Sequence, residues 1–243
     1  MDEAQPPKHR GAGDPFASDA PAVLRIGCPP KLPIQRLLAF LGALGMRAPH
    51  VEARVLHDTP AAEQLRRLAG GGLDVAMLYC ADRQLEVDVE PVFPGEQLVA
   101  FLPPGHPLTA NDVLGPADLL DVDLVIFPRA EDPGLFEHLL AELDSGGYRF
   151  RQVVEASGGH VRDVLLDVSG GRGIAIDSSS LADLSDAREM VVHRALDPPL
   201  RMPDIVLAWR PRRAHHLEHV LALLRDVARD LRHGGRQRGE EAG

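Results

Sequence analysis

Lysine is almost missing from this chain: of 26 basic residues in 243, only Lys8 and Lys31 are lysines. Set against 36 acidic residues, the basic complement leaves a formal net charge of -10. That balance works against non-specific nucleic-acid binding, because affinity for a phosphate backbone comes largely from Lys and Arg neutralising charge. Direct DNA binding by this chain is therefore not expected. Cysteine is also scarce; Cys28 and Cys80 are too few for a disulfide framework in a chain of this length. No apolar run approaches the length that spans a bilayer, and residues 1–22 (MDEAQPPKHRGAGDPFASDAPA) contain no apolar signal core. No membrane association is expected, and the cytoplasm is the expected compartment. What remains is ordinary for a soluble globular protein: 44% hydrophobic and 26% charged residues, enough for one two-lobed domain or two small ones.

The leader 1–22 and the tail 233–243 read as disordered. Between them strand and helix patterns alternate. Strands are expected at 23–27, 50–56 and 73–79, with helices at 33–44 and 60–70 between them. Short connections make this a β-α-β-α-β unit, hence a parallel sheet with right-handed crossovers. A second series follows. Strands are expected at 89–93, 97–103, 122–128, 148–154 and 173–177, with helices at 133–144 and 159–169. Strands at 189–196 and 204–210 and an amphipathic helix at 215–232 close the chain.

The halves repeat one plan. VLHDTPAAEQLRRLAGGGLDVAML (55–78) and VVEASGGHVRDVLLDVSGGRGIAID (153–177) each run from a strand through a hydroxyl residue, an amphipathic helix and a Gly-Gly break to a buried strand. Thr59 aligns with Ser157, and both are expected to cap the helix that follows. In open parallel sheets small molecules bind beyond the carboxyl ends of strands, so two such units facing each other would make a cleft lined by both hydroxyls.

The order of D-T-x-x-x-x-x-L, GGLDVAM, PVFPGEQLVAFLPPGHPL (91–108) and GGRGIAI (170–176) resembles the substrate-binding domain of LysR-type transcriptional regulators, over about residues 23–232. The resemblance implies an α/β, type 2 periplasmic-binding-protein-like fold: two lobes, each with a mostly parallel sheet flanked by helices, joined by two crossover strands. Lobe I would comprise 23–92 plus 197–232, and lobe II 93–196. Crossings would fall near Phe93–Gln97 and Val192–Leu196. Members of that family carry a winged helix-turn-helix ahead of this domain, and no recognition helix can be drawn in the 22 residues before Val23. The implied function is effector sensing in transcriptional regulation, without catalysis or a cofactor. The partners implied are a small polar metabolite, such as a carboxylate, and a second copy or a full-length regulator in a dimer. Leu37, Phe40 and Leu41 are candidates for that dimer face. A stand-alone small-molecule-binding protein with no transcriptional role is the alternative.

Carried onto this sequence, the family's effector contacts fall at Cys28, Pro29, Pro30 and Lys31; Thr59; Tyr79, Cys80 and Ala81; Pro128 and Arg129; Ser157, Gly158 and His160; and Asp177. Arg129 could clamp a carboxylate, or pair with Glu131 or Asp132 as a surface arginine. The opening loop departs from the family pattern, with Pro29 and Pro30 where Ser or Thr is usual. Proline has no N–H, so this loop favours a less anionic or more apolar ligand. With the first strand between the second and third, Cys28, His57 and Cys80 would share one sheet end, with His160 as a fourth soft ligand. The spacing matches no compact metal motif, and burial of the free thiols as small hydrophobes competes with both a metal site and a reversible Cys28–Cys80 disulfide. Cys28, His57 and Asp58 could be imagined as nucleophile, base and orienter, but no nucleophile elbow, Walker loop or dinucleotide glycine pattern accompanies them. His215 and His219 read as a solvated helix face.

Overall fold

The computed structural model describes residues 22–79, 87–183, 190–211 and 221–232. Expectations for the leader, the tail, Cys80, Ala81, His215 and His219 lie outside the described residues. In the first half, β1 (Ala22–Gly27), α1 (Ile34–Arg47), β2 (Val51–Leu56), α2 (Ala61–Ala69) and β3 (Val75–Tyr79) follow the expected alternation. The helix α1 forms because Leu37, Phe40 and Leu44 recur at helical spacing and all three are buried against the sheet. Leu37 and Phe40 are thus core residues rather than interface candidates. The exposed apolar positions of this helix are Ile34, Leu38 and Met46.

The strands β4 (Asp88–Phe93) and β11 (Ile205–Trp209) complete a five-stranded sheet of order β2-β1-β3-β11-β4. The β1 strand pairs with β2 and β3 in parallel, and β11 runs antiparallel to both its neighbours. Residues 221–232 are helical (α5), and Leu224, Val227 and Ala228 bury their side chains completely.

The second lobe is built from β5 (Leu98–Leu102), β6 (Val113–Leu114), β7 (Asp123–Ile126), α3 (Pro133–Ser145), β8 (Gln152–Glu155), α4 (Val161–Ser169), β9 (Ala175–Ser178) and β10 (Val192–Leu196). A four-stranded sheet of order β6-β10-β5-β9 is joined to the parallel pair β7-β8 by a bridge between Leu124 and Ile174. Here β5 is the strand that runs against its neighbours β9 and β10. Each lobe therefore contains one reversed strand, and each reversed strand arrives directly from the other lobe.

The chain crosses between lobes at 94–97 and again at 197–204, where the segments pair through Gln97 and Arg201. Leu98 N donates to Leu200 O at 2.8 Å, and Met202 N donates to Glu96 O at 2.7 Å. Val192–Leu196, expected as the second crossing, is a strand of the second sheet; the return comes later, after Pro198 and Pro199, which have no N–H to extend a ladder. The strand expected from 148 begins at Gln152, because Tyr148 is turned inward, its hydroxyl donating to Pro198 O at 2.9 Å.

Candidate functional site

The strands β1 and β7, one from each lobe, end beside the same cleft. The loop after β1 holds Pro29, Pro30 and Lys31, and the loop after β7 holds Phe127, Pro128 and Arg129. Lys31 is 8% exposed, although it sits at the mouth of an interlobe cleft. Its Nζ lies 3.1 Å from Asp177 Oδ2, at the end of β9 in the opposite lobe, and 4.3 Å from the centre of the Phe127 ring. Tyr79, at the end of β3, donates its hydroxyl to Lys31 O at 2.8 Å and so fixes the loop from behind. Asp177 Oδ1 accepts from Ser178 N at 2.8 Å. A lysine reaching out of one lobe is thereby neutralised and shelved on an aromatic ring by the other.

The cleft beside this pair is lined by Pro29, Pro30, Lys31 and Tyr79 from one lobe and by Phe127, Glu131, Asp132, Leu135 and Gly159 from the other. It encloses about 260 Å³ of empty space, counting the part open to solvent. Prolines and aromatic rings give it apolar walls, with carboxylates on one side, which is the make-up of a small-molecule site. Asp132 caps α3, accepting from Leu135 N at 3.1 Å. Burial pushes its carboxyl above the usual range, partly offset by the backbone N–H groups of Leu135 and Gly134.

The expected residues fall into two groups. Pro29, Pro30, Lys31, Tyr79 and Asp177 meet at the cleft. Thr59 is buried behind it; its N–H donates to Cys28 O at 3.0 Å and its hydroxyl to His57 O at 3.0 Å. The expected hydroxyl caps do not form. Pro60 and His160 occupy the cap positions of α2 and α4, and the α4 end is held by Asp163 accepting from His160 N at 3.1 Å. Ser157 and His160 are exposed, and Gly158 is half-buried against Asp163. Arg129 points away from the cleft, paired with Glu137 rather than with Glu131 or Asp132, and stacked 5.4 Å from the Phe136 ring.

Cys28 is buried, and its thiol is pushed up to about 12, first by burial and then by the charge of Asp58. Its Sγ contacts Pro29 O at 3.9 Å, while His57 and Asp58 are exposed. A buried thiol held protonated is a poor nucleophile at neutral pH. Among the described residues no cluster of three His, Cys, Asp or Glu could hold a metal ion. Missed from the sequence were Phe127, Glu131, Asp132 and Leu135. Their one signal was position, since they fall at and just beyond the end of the strand expected at 122–128.

The model of the LysR substrate-binding domain matches residues 18–229. The chain belongs to that family. Among solved structures, this LysR substrate-binding domain is similar to the reduced regulatory domain of OxyR from Pseudomonas aeruginosa, at 17% identity and a TM-score of 0.68, covering 86% of this chain and 98% of that one. The BenM effector-binding domain with its effector benzoate matches at 18% identity and a TM-score of 0.69, over 86% of this chain and 91% of that one. The CcmR regulatory domain of Synechocystis PCC6803, in complex with 2-PG, matches at 17% identity and a TM-score of 0.65, over 85% of this chain and 97% of that one. No curated protein matches in sequence. The fold is the type 2 periplasmic-binding-protein-like one expected, and the domain is of the effector-binding, regulatory kind. Among the described residues no helix is long and apolar enough to cross a membrane.

Proposed function

We propose that this domain senses a small-molecule effector in the interlobe cleft, in the service of transcriptional regulation, with 94–97 and 197–204 as the segments about which the lobes adjust. The observation that carries this reading is the meeting of Lys31 from one lobe with Asp177 and Phe127 of the other, beside a cavity that both lobes line. A ligand seated there touches both lobes, so it binds one lobe arrangement better than another, which is the requirement for a switch. Gly95 and Arg36 support the hinge assignment. Arg36 of α1 pairs with Glu96 at 2.6 Å and donates to Pro94 O at 2.9 Å, tying lobe I to the crossing segment. The regulatory unit in this reading is a dimer, with the exposed Ile34, Leu38 and Met46 of α1 as candidate contacts.

A thermal-shift screen of amino acids, amines, carboxylates and aromatic metabolites tests the reading, because a ligand specific to the folded state raises the melting temperature by mass action. Gly159→Leu is the control, since a side chain there collides with Glu131 and crowds the cleft. A hit is expected to lose its effect in that variant. A hit that survives it binds elsewhere and sinks the cleft assignment.

A further inference from the structure

We infer that the interlobe cleft takes a small organic cation, a protonated amine carried on a compact apolar body. The inference rests on the effector reading of the same cleft and narrows it. An anion site needs unsatisfied N–H donors or a spare cation, and here the chain's own groups have claimed several of those donors and the cleft's lysine. The opening loop contributes Pro29 and Pro30, which have no N–H to offer. At the start of α3, Leu135 N is taken by Asp132 Oδ1 at 3.1 Å. At the start of α4, Ser157 N is taken by Asp167 Oδ2 at 2.8 Å and His160 N by Asp163 Oδ2 at 3.1 Å. In lobe I, Thr59 N donates to Cys28 O. At the starts of α3 and α4, carboxylates of the protein thus take N–H groups that a bound anion would otherwise use.

The charge count runs the same way. The cleft's lysine is matched by Asp177 at 3.1 Å, and Arg129 is drawn off by Glu137. Glu131 and Asp132 remain on the wall, and among the described residues neither is paired with a Lys or Arg. Beside them stand the apolar faces of Pro29, Pro30 and Leu135. Such a site offers an ammonium group two carboxylates and its hydrocarbon body a dry wall. A carboxylate ligand would have to break the Lys31–Asp177 pair and approach two like charges at once.

Matched sets decide the matter: benzylamine, benzyl alcohol and benzoate, then butylamine, butanol and butyrate, each followed by calorimetry and thermal shift at fixed ionic strength. The amines are expected to bind and the carboxylates not. In Glu131→Gln and Asp132→Asn, whose Asn can still cap α3, the amine affinity is expected to fall by about tenfold or more, as for loss of a charged hydrogen bond. An amine that binds these variants as well as the parent is drawn only by the overall charge of -10, and the assignment fails. A benzoate or benzyl alcohol that binds as tightly as its amine, and is lost in Gly159→Leu, overturns the cation class and leaves the effector reading standing. If no amine binds, the cation class falls; the effector reading falls with it only if the wider screen is silent too.

Discussion

Lys31 and Asp177 face each other with side chains only 6% and 11% exposed. Taking two charges out of water is costly, and their attraction repays that cost only while both are present. Lys31→Met leaves Asp177 buried without its cation, so it is expected to cost about 3 kcal/mol in urea unfolding. Adding Asp177→Asn is expected to recover much of the loss, because the amide oxygen can still accept from Ser178 N. A single-variant loss below about 0.5 kcal/mol is the behaviour of an exposed pair and would show that solvent reaches this one. Cys28 makes a second prediction. Its folded thiol is raised from 9.0 to about 12, so over that window the unfolded chain releases a proton that the folded chain keeps. Stability therefore falls as pH rises from about 9 to 12. Other groups titrate in the same range, so the test is a difference: Cys28→Ala is expected to flatten the decline, and identical slopes would refute the burial of the thiol.

The paired crossing segments carry the next constraint. Gly95 N donates to Asp204 Oδ1 at 2.7 Å, Arg201 donates to Gly95 O at 2.8 Å, and a Cβ at Gly95 would run into the Met202 carbonyl. That obstacle is backbone, which cannot swing aside as a side chain would. Gly95→Ala is expected to cost about 1–3 kcal/mol, as overpacking does, and to change effector affinity as well, because it spreads the segments on which the lobes turn. Chemical denaturation with calorimetry on the same variant checks both. Helices and parallel strands were legible in the sequence because burial of one face imposes a period, as Leu37, Phe40 and Leu44 show in α1. The return crossing was not. Its irregular backbone has no period, so the regular strand Val192–Leu196 drew the assignment instead. The helix caps misled for a related reason: Thr59 and Ser157 are capping residue types, but Pro60 and His160 stand closer to the first helical turn. For the site, Lys31, Tyr79 and Asp177 could be placed at or just beyond strand ends from the strand pattern and the family resemblance. Glu131 and Asp132 could not, because which loop residues face a cleft depends on how two lobes sit together.

At the scale of the molecule, the reversed strands tie the lobes into one folding unit. The β11 strand sits between β3 and β4 in the first sheet, and the chain reaches it only from lobe II; β5 sits between β10 and β9 in the second sheet, and the chain reaches it only from lobe I. Neither sheet can lose its lobe's coherence without removing an interior strand anchored in the crossing segments. The buried Lys31–Asp177 pair adds a contact far from the hinge. Unfolding is therefore expected as one transition rather than two. Trp209 is the chain's single tryptophan, 2% exposed in β11 of lobe I, so its fluorescence follows that lobe, while far-ultraviolet circular dichroism follows helices in both. The two curves are expected to coincide in urea. An amine seated between the lobes is expected to move both midpoints together, since ligand binding to the folded state stabilises it by RT ln(1 + [L]/Kd). A fluorescence midpoint clearly separated from the circular-dichroism midpoint would mean that the lobes melt independently, and a ligand that shifted only one of them would be held by one lobe alone.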